Sequence, residues 1–164
     1  MKKSLLAYAA ASLTAIMSAT GVFSLAASTT APAITFPSLT TIYVASGVFD
    51  DGGVAHPGVA TSVHCSNVSG QSAQVRVLVL DRVGADAGAV TQTVLHGHTR
   101  TFSTHGTSSS DFSLNTGLVA QGVLNVESTQ SGVFCSAMVT SAVAPQTGVP
   151  LHMVRVNAHP GTIE

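Results

Sequence analysis

The sequence predicts an all-β fold, a two-sheet antiparallel sandwich, for the chain beyond about residue 41. Short runs rich in Val and Thr alternate with clusters of Gly, Ser, Asn and Asp, a pattern typical of strands separated by turns. Within these runs apolar residues recur at every second position, as a sheet with one buried face requires. No window after residue 28 has the apolar stripe and caps of an amphipathic helix. Strands of this number and length are typical of two packed sheets.

Eight segments carry the strand pattern, and the third shows it most clearly. Val75, Val77 and Val79 are predicted to face inward there, opposite Arg76 and Leu78. The predicted strands are 41–49, 58–66, 73–81, 89–96, 98–104, 118–129, 132–141 and 149–157.

The first residues have the organisation of an export signal. Lys2 and Lys3 give a positive start, residues 5–25 carry no charge, and Ser24-Leu25-Ala26 offers the small residues that a signal peptidase needs. An uncharged run of this length also fits an uncleaved membrane anchor. The expected location of the remaining chain is therefore secreted or periplasmic.

Three regions follow from this pattern. We interpret residues 1–27 as the signal peptide, residues 28–40 as a linker or arm rich in Pro and Thr, and residues 41–164 as the β-sandwich domain.

The charge balance excludes several partners. The formal net charge is −1, and Lys2 and Lys3 are the only lysines, so removal of the signal would leave −3. Such a domain lacks the basic surface that binds phosphate backbones or anionic membranes. Neither nucleic acid nor a membrane, apart from the signal segment, is an expected partner. A protein partner or a second copy is the expected one, and no cofactor is predicted.

Cys65 and Cys135 are the only cysteines. Outside the cytoplasm two such thiols are expected to form a structural disulfide. A metal-ligating or catalytic role for one of them is the alternative.

Seven histidines form the other notable group, and His96-Gly97-His98 is its sharpest feature. Residues two apart on an extended chain point the same way, so His96 and His98 are candidate ligands of one ion, with His105 close behind. Neutral imidazole suits Zn²⁺ or Cu²⁺. The alternative is a set of exposed polar histidines. The seven are His56, His64, His96, His98, His105, His152 and His159.

Two shorter motifs have both a functional and a structural interpretation. Asp50-Asp51-Gly52-Gly53 is interpreted as a solvated hairpin tip rather than a Ca²⁺ site, because no third acid is near. Asn67-Val68-Ser69 is a glycosylation acceptor pattern, which has meaning only in a eukaryotic secretory host.

Three segments resemble parts of small exported bacterial proteins that have no assigned function: residues 61–70, 132–137 and 151–157. The resemblance covers most of residues 42–161. It implies a β domain with one disulfide in a bacterial envelope or medium, and it brings no ligand or activity.

The cysteine spacing is also similar to that of immunoglobulin-like sandwiches, in which a disulfide joins the two sheets. This resemblance implies an immunoglobulin-like general architecture. The chain departs from that family because it has no Trp and because Val133 stands where a Tyr is expected.

The function predicted from these observations is that of an exported, non-enzymatic β-sandwich, a structural or protein-interaction component of the cell envelope or exterior. No Gly-x-Ser-x-Gly elbow or suitably spaced carboxylate pair indicates catalysis. The alternative is a periplasmic Zn- or Cu-binding protein that uses clustered histidines. A hydrolase with a dispersed site is a remote third hypothesis.

Overall fold

The computed structural model describes residues 38–53, 58–144 and 146–156. The predicted signal peptide and most of the predicted arm lie outside these residues. The described part of the chain is built from strands and their connections, and it contains no helix long and apolar enough to cross a membrane.

Ten strands form two five-stranded sheets that pack face to face, which confirms the predicted sandwich. Sheet 1 has the order β10-β1-β7-β3-β4, and sheet 2 has the order β6-β5-β2-β8-β9. All neighbours are antiparallel except β5 and β6, which are parallel. The strands are β1 Thr40–Asp51, β2 Val59–Asn67, β3 Ala73–Leu80, β4 Asp86–Val94, β5 Thr99–Ser103, β6 Phe112–Ser113, β7 Leu118–Ser128, β8 Val133–Ser141, β9 Gly148–Leu151 and β10 Met153–Arg155.

The core lies between the sheets and follows the predicted alternation. Val75, Val77 and Val79 of β3 are fully buried, while Arg76 and Leu78 are half-buried on the outer face of sheet 1. The apolar residues of the other strands close the same interior. The inward face of β3 is therefore the one that its sequence predicts.

The predicted last strand is in fact two strands. β9 pairs with β8 in sheet 2, and β10 pairs with β1 in sheet 1, so the chain changes sheets at His152. Pro150 lies on β9, the edge strand of sheet 2. Because β9 has a partner strand on one side only, the missing backbone N–H of Pro150 removes no hydrogen bond from a central strand. Because alternation continues through residues 149–155, the pattern alone does not reveal the crossing.

β6 was not predicted. It contains only two residues, Phe112 and Ser113, too few for a periodic pattern. The ring of Phe112 lies 5.6 Å from that of Phe102 on β5, between centroids, and this contact joins the short strand to the core.

The disulfide joins Cys65 and Cys135, as expected from the sequence. The two residues lie directly opposite each other on β2 and β8, with their Cα atoms 4.2 Å apart. This separation is close to the roughly 4.5 Å of a non-hydrogen-bonded antiparallel pair. The bond therefore links neighbouring strands of one sheet, whereas the immunoglobulin-like arrangement links the two sheets.

Candidate functional site

A buried carboxylate–imidazole pair lies at one end of the sandwich. His105 Nδ1 is 2.9 Å from both carboxylate oxygens of Asp50. Asp50 is fully buried near the end of β1, and His105 is 3% exposed just after β5. Because β1 belongs to sheet 1 and β5 to sheet 2, this pair connects the two sheets.

The alternation of β1 places Asp50 in the interior. Val48 and Asp50 face inward, and Phe49 between them faces out. Gly52 then turns the chain back with a φ of 76°, and its N–H donates to Asp50 Oδ1 at 2.7 Å. Thr116 Oγ1 donates to Oδ2 at 3.3 Å. The Asp50 carboxylate thus has three hydrogen-bonding partners, which are His105, Gly52 and Thr116.

The segment that carries His105 is fixed to β2. The backbone N–H of Thr104 donates to the carbonyl of Thr61 at 3.0 Å, and Thr61 N–H donates to Thr104 Oγ1 at 3.1 Å. Ser103 Oγ donates to the carbonyl of His105. These bonds orient the ring toward Asp50, while its Nε2 is buried and has no hydrogen-bond partner among the described residues.

Asp51 adds an exposed carboxylate to this pair. Its carboxylate accepts the backbone N–H of Val59 at 2.9 Å and that of Gly53 at 3.1 Å. The hydrogen bond from Val59 first and the one from Gly53 next hold the pKa of Asp51 below its ordinary 3.8, against the opposing effect of burial. The resulting stabilisation is present above pH 3.8 and is lost as the pH falls through the lowered value.

Together Asp50, Asp51 and His105 form a three-residue group with the donor atoms of a metal site. Each offers one ligand atom, and the three atoms lie within 4.8 Å of one another. We call this group the Asp–His cluster. Two of its members are buried, and Asp51 opens it to solvent.

The structure does not bring the three predicted metal ligands together. His96 and His98 are exposed in the turn between β4 and β5, where His96 Nδ1 accepts the backbone N–H of Gly70 at 3.1 Å. His105 lies beyond the opposite end of β5. Seven residues of extended chain, on the order of 20 Å, separate it from His98. The ligand-type neighbours of His105 are instead Asp50 and Asp51.

Two other histidines are described. His64 Nδ1 lies 3.0 Å from Thr101 Oγ1 across the β2–β5 pair, and His152 is exposed where the chain changes sheets. His56 and His159 lie outside the described residues.

The acidic motif is not the solvated tip that its composition indicates. Asp50 is fully buried, and only Asp51 is exposed. The reason is its register on β1: Asp50 continues the inward phase of Val48. The inward phase of β1 is therefore a signal in the sequence that Asp50 is buried. No such signal identifies the partner of Asp50, because His105 is 55 residues away.

Asn67, in the glycosylation acceptor pattern, is part of the folded interior. It is fully buried, and its Nδ2 donates to the carbonyls of Gln71 at 2.6 Å and Val94 at 2.8 Å. An amide nitrogen used in this way is inaccessible to glycosylation once the domain has folded.

The edge strand β4 is longer than the other three edge strands of the sandwich. β4 is a nine-residue strand at the edge of sheet 1, whereas β6, β9 and β10 have two, four and three residues. Natural edge strands are protected by shortness, Pro, Lys or bulges. β4 contains neither Lys nor Pro, and its one charged residue, Asp86, is its first. Its one register shift against β3 lies at the same end, between Asp86 and Gly88, so that Gly88 to Val94 form a regular edge.

The geometry defines a β-sandwich with one disulfide inside a sheet and a buried Asp–His pair between the sheets. In comparisons with protein-family models, curated proteins and solved structures, no match to this chain was found.

Proposed function

We propose that this protein is an exported, non-enzymatic component of the cell envelope or exterior that acts by contact, and that the contact joins two copies through β4. The observation that carries the proposal is the length of this edge. Along its nine residues, the side of β4 away from β3 pairs with no other strand of the described chain. Such an edge is a template for another strand.

A second copy is the partner that fits this edge best. Two β4 strands related by a two-fold axis pair in antiparallel fashion and join two sheets of five strands into one continuous sheet. The outward side chains of β4 are Ala89, Thr91 and Thr93, which are small enough for close approach. A net charge of −3 after removal of the signal gives little repulsion between copies.

Proline substitutions at two neighbouring positions test this contact. Successive N–H groups of a strand point to opposite edges, so one of Thr91 and Gln92 donates toward β3 and the other toward the open edge. We expect a dimer for the wild type by size-exclusion chromatography with light scattering. Of Thr91→Pro and Gln92→Pro, the variant that removes the N–H facing the open edge is expected to remain folded and become monomeric. Thr91→Ala and Gln92→Ala keep their N–H groups and are expected to remain dimeric.

A charge near the strand centre gives a second test that does not alter the backbone. Thr91 is exposed on β4 and lies close to the centre of Asp86–Val94, so Thr91→Lys would place two like charges near the two-fold axis. The dimer fraction should fall while the circular dichroism spectrum stays unchanged. A monomeric wild type, or a folded Pro or Lys variant that dimerises as the wild type does, would refute the proposal.

The other two hypotheses gain less from the geometry. A metal site of His96, His98 and His105 requires residues that lie at opposite ends of β5. A hydrolase would use His105 Nε2 to activate a nucleophile, as in triads that orient a histidine through a carboxylate. That nitrogen is buried, and no hydroxyl in the described ranges bonds it.

A further inference from the structure

Within the described residues, the Asp–His cluster contains more negative charge than its neighbours balance. Asp50 and Asp51 both contribute carboxylates, and the chain has no lysine after Lys3. Three described arginines are engaged elsewhere: Arg76 pairs with Glu127, Arg100 with Asp111, and Arg155 donates to Tyr43. The fourth, Arg82, is exposed in the connection between β3 and β4. The imidazole of His105 is the only basic group in the cluster.

His105 is directed at the carboxylates through one nitrogen only. Its Nδ1 lies 2.9 Å from both oxygens of Asp50, and its buried Nε2 has no partner in the part of the chain that is described. One imidazole carries at most one positive charge, so it cannot balance two carboxylates, whereas a divalent cation can. When Nδ1 carries no proton, its lone pair is directed at the carboxylates and can bind such a cation.

We propose that Asp50, Asp51 and His105 bind one divalent cation, and that this cation is Zn²⁺. Imidazole nitrogen together with carboxylate oxygen suits Zn²⁺, whereas Ca²⁺ needs six to eight oxygens. Three protein ligands leave a fourth position for water, on the solvent side where Asp51 is exposed.

The spacing of the donors is close to what the ion requires. Ligands at about 2.0–2.2 Å from a tetrahedral Zn²⁺ lie about 3.4 Å from one another. The three donor atoms are already within 4.8 Å, and two of them, on Asp50 and His105, are 2.9 Å apart. Binding the ion requires the Asp50 and His105 donors to separate by about 0.5 Å and the exposed Asp51 side chain to rotate toward them.

The bound ion connects elements from both sheets. Asp50 and Asp51 end β1, His105 follows β5, and the Asp51 carboxylate also accepts the N–H of Val59 at the start of β2. A cation that binds only the folded chain stabilises it by an amount that grows with the logarithm of its concentration above the dissociation constant. Zn²⁺ is therefore expected to raise the unfolding temperature.

Titration of the purified protein tests the site. The full chain is treated with a chelator, dialysed, and titrated with ZnCl₂ by isothermal calorimetry, and its thermal unfolding is followed with and without Zn²⁺. We expect one ion per chain and a higher unfolding temperature. In Asp51→Asn the affinity should fall at least about tenfold, as for loss of a group that supports a metal. Asp51 is exposed, so this variant keeps the fold.

Two control variants separate this site from others. Asp86→Asn removes an exposed carboxylate at the start of β4 and should bind Zn²⁺ as the wild type does. His96→Ala with His98→Ala removes the exposed pair in the turn and should also leave the affinity unchanged. The proposal is overturned by any of four results: no stoichiometric binding, equal affinity in Asp51→Asn, loss of binding in the double histidine variant, or tighter binding of Ca²⁺ than of Zn²⁺.

Discussion

Val77→Asp is expected to prevent folding, whereas Arg76→Asp at the neighbouring position should leave a folded sandwich. Val77 is fully buried in β3, between Val90 of β4 and Val126 of β7. A carboxylate there has no described charged or polar side chain placed opposite it in the register. Its burial should cost more than the roughly 4–5 kcal/mol that marks the most damaging substitutions, against a total stability of about 5–15 kcal/mol.

The neighbouring position has a different environment. The Arg76 side chain is 36% exposed on the outer face and lies 3.4 Å from Glu127. Loss of such a surface ion pair costs about 1 kcal/mol or less, and repulsion between the new Asp and Glu127 opposite it adds a cost of about the same size. Urea unfolding followed by circular dichroism measures both variants, since the chain has no Trp for fluorescence. Val77→Ala controls for loss of volume without charge. Equal effects of the two Asp substitutions would contradict the observed register of β3.

Removal of the disulfide is expected to give the second-largest loss of stability. Cys65 and Cys135 are separated by 70 residues, and closing a loop of that length removes about 4 kcal/mol of chain entropy from the unfolded state. Cys65→Ala should therefore lower the free energy of unfolding by about 2–5 kcal/mol. The double variant with Cys135→Ala should show a similar loss without a free thiol.

Reduction of the wild type provides the internal control. Reductant should lower the unfolding temperature of the wild type toward that of the double variant and should leave the double variant unchanged. Ser136→Ala, at the exposed neighbouring position on β8, should unfold as the wild type does. An unchanged unfolding temperature in Cys65→Ala, or two free thiols in the denatured, unreduced wild type, would show that the bond does not stabilise the fold.

The strands were predictable because a buried face imposes a period of two on the sequence. Val75, Val77 and Val79 show it, and β3 begins and ends within one residue of its predicted range. The period tells which face a residue occupies, but it does not tell which strand lies beside it. For this reason only the structure reveals two features: the change of sheet at His152, and the position of Cys135 beside Cys65 within one sheet.

The candidate site was harder to predict for the same reason. The sequence places His105 with His96 and His98, because these histidines are near it along the chain. Its actual partner, Asp50, comes from a different sheet. Only the topology, which places the end of β1 beside the end of β5, brings these residues together.

The position of β1 in sheet 1 has a consequence for how a new chain matures. β1 lies between β7 and β10, so that Val44 near the start of the domain is opposite Val154 near its end. During synthesis this strand has no partner until β7, which ends at Ser128, has left the ribosome, and it lacks its second partner until β10, which ends at Arg155, has followed. Folding is therefore delayed until the polypeptide is almost complete, because its defining contacts are distant in sequence. Such a delay is compatible with the export proposed above, because a chain that has not yet folded fits through a narrow translocation channel.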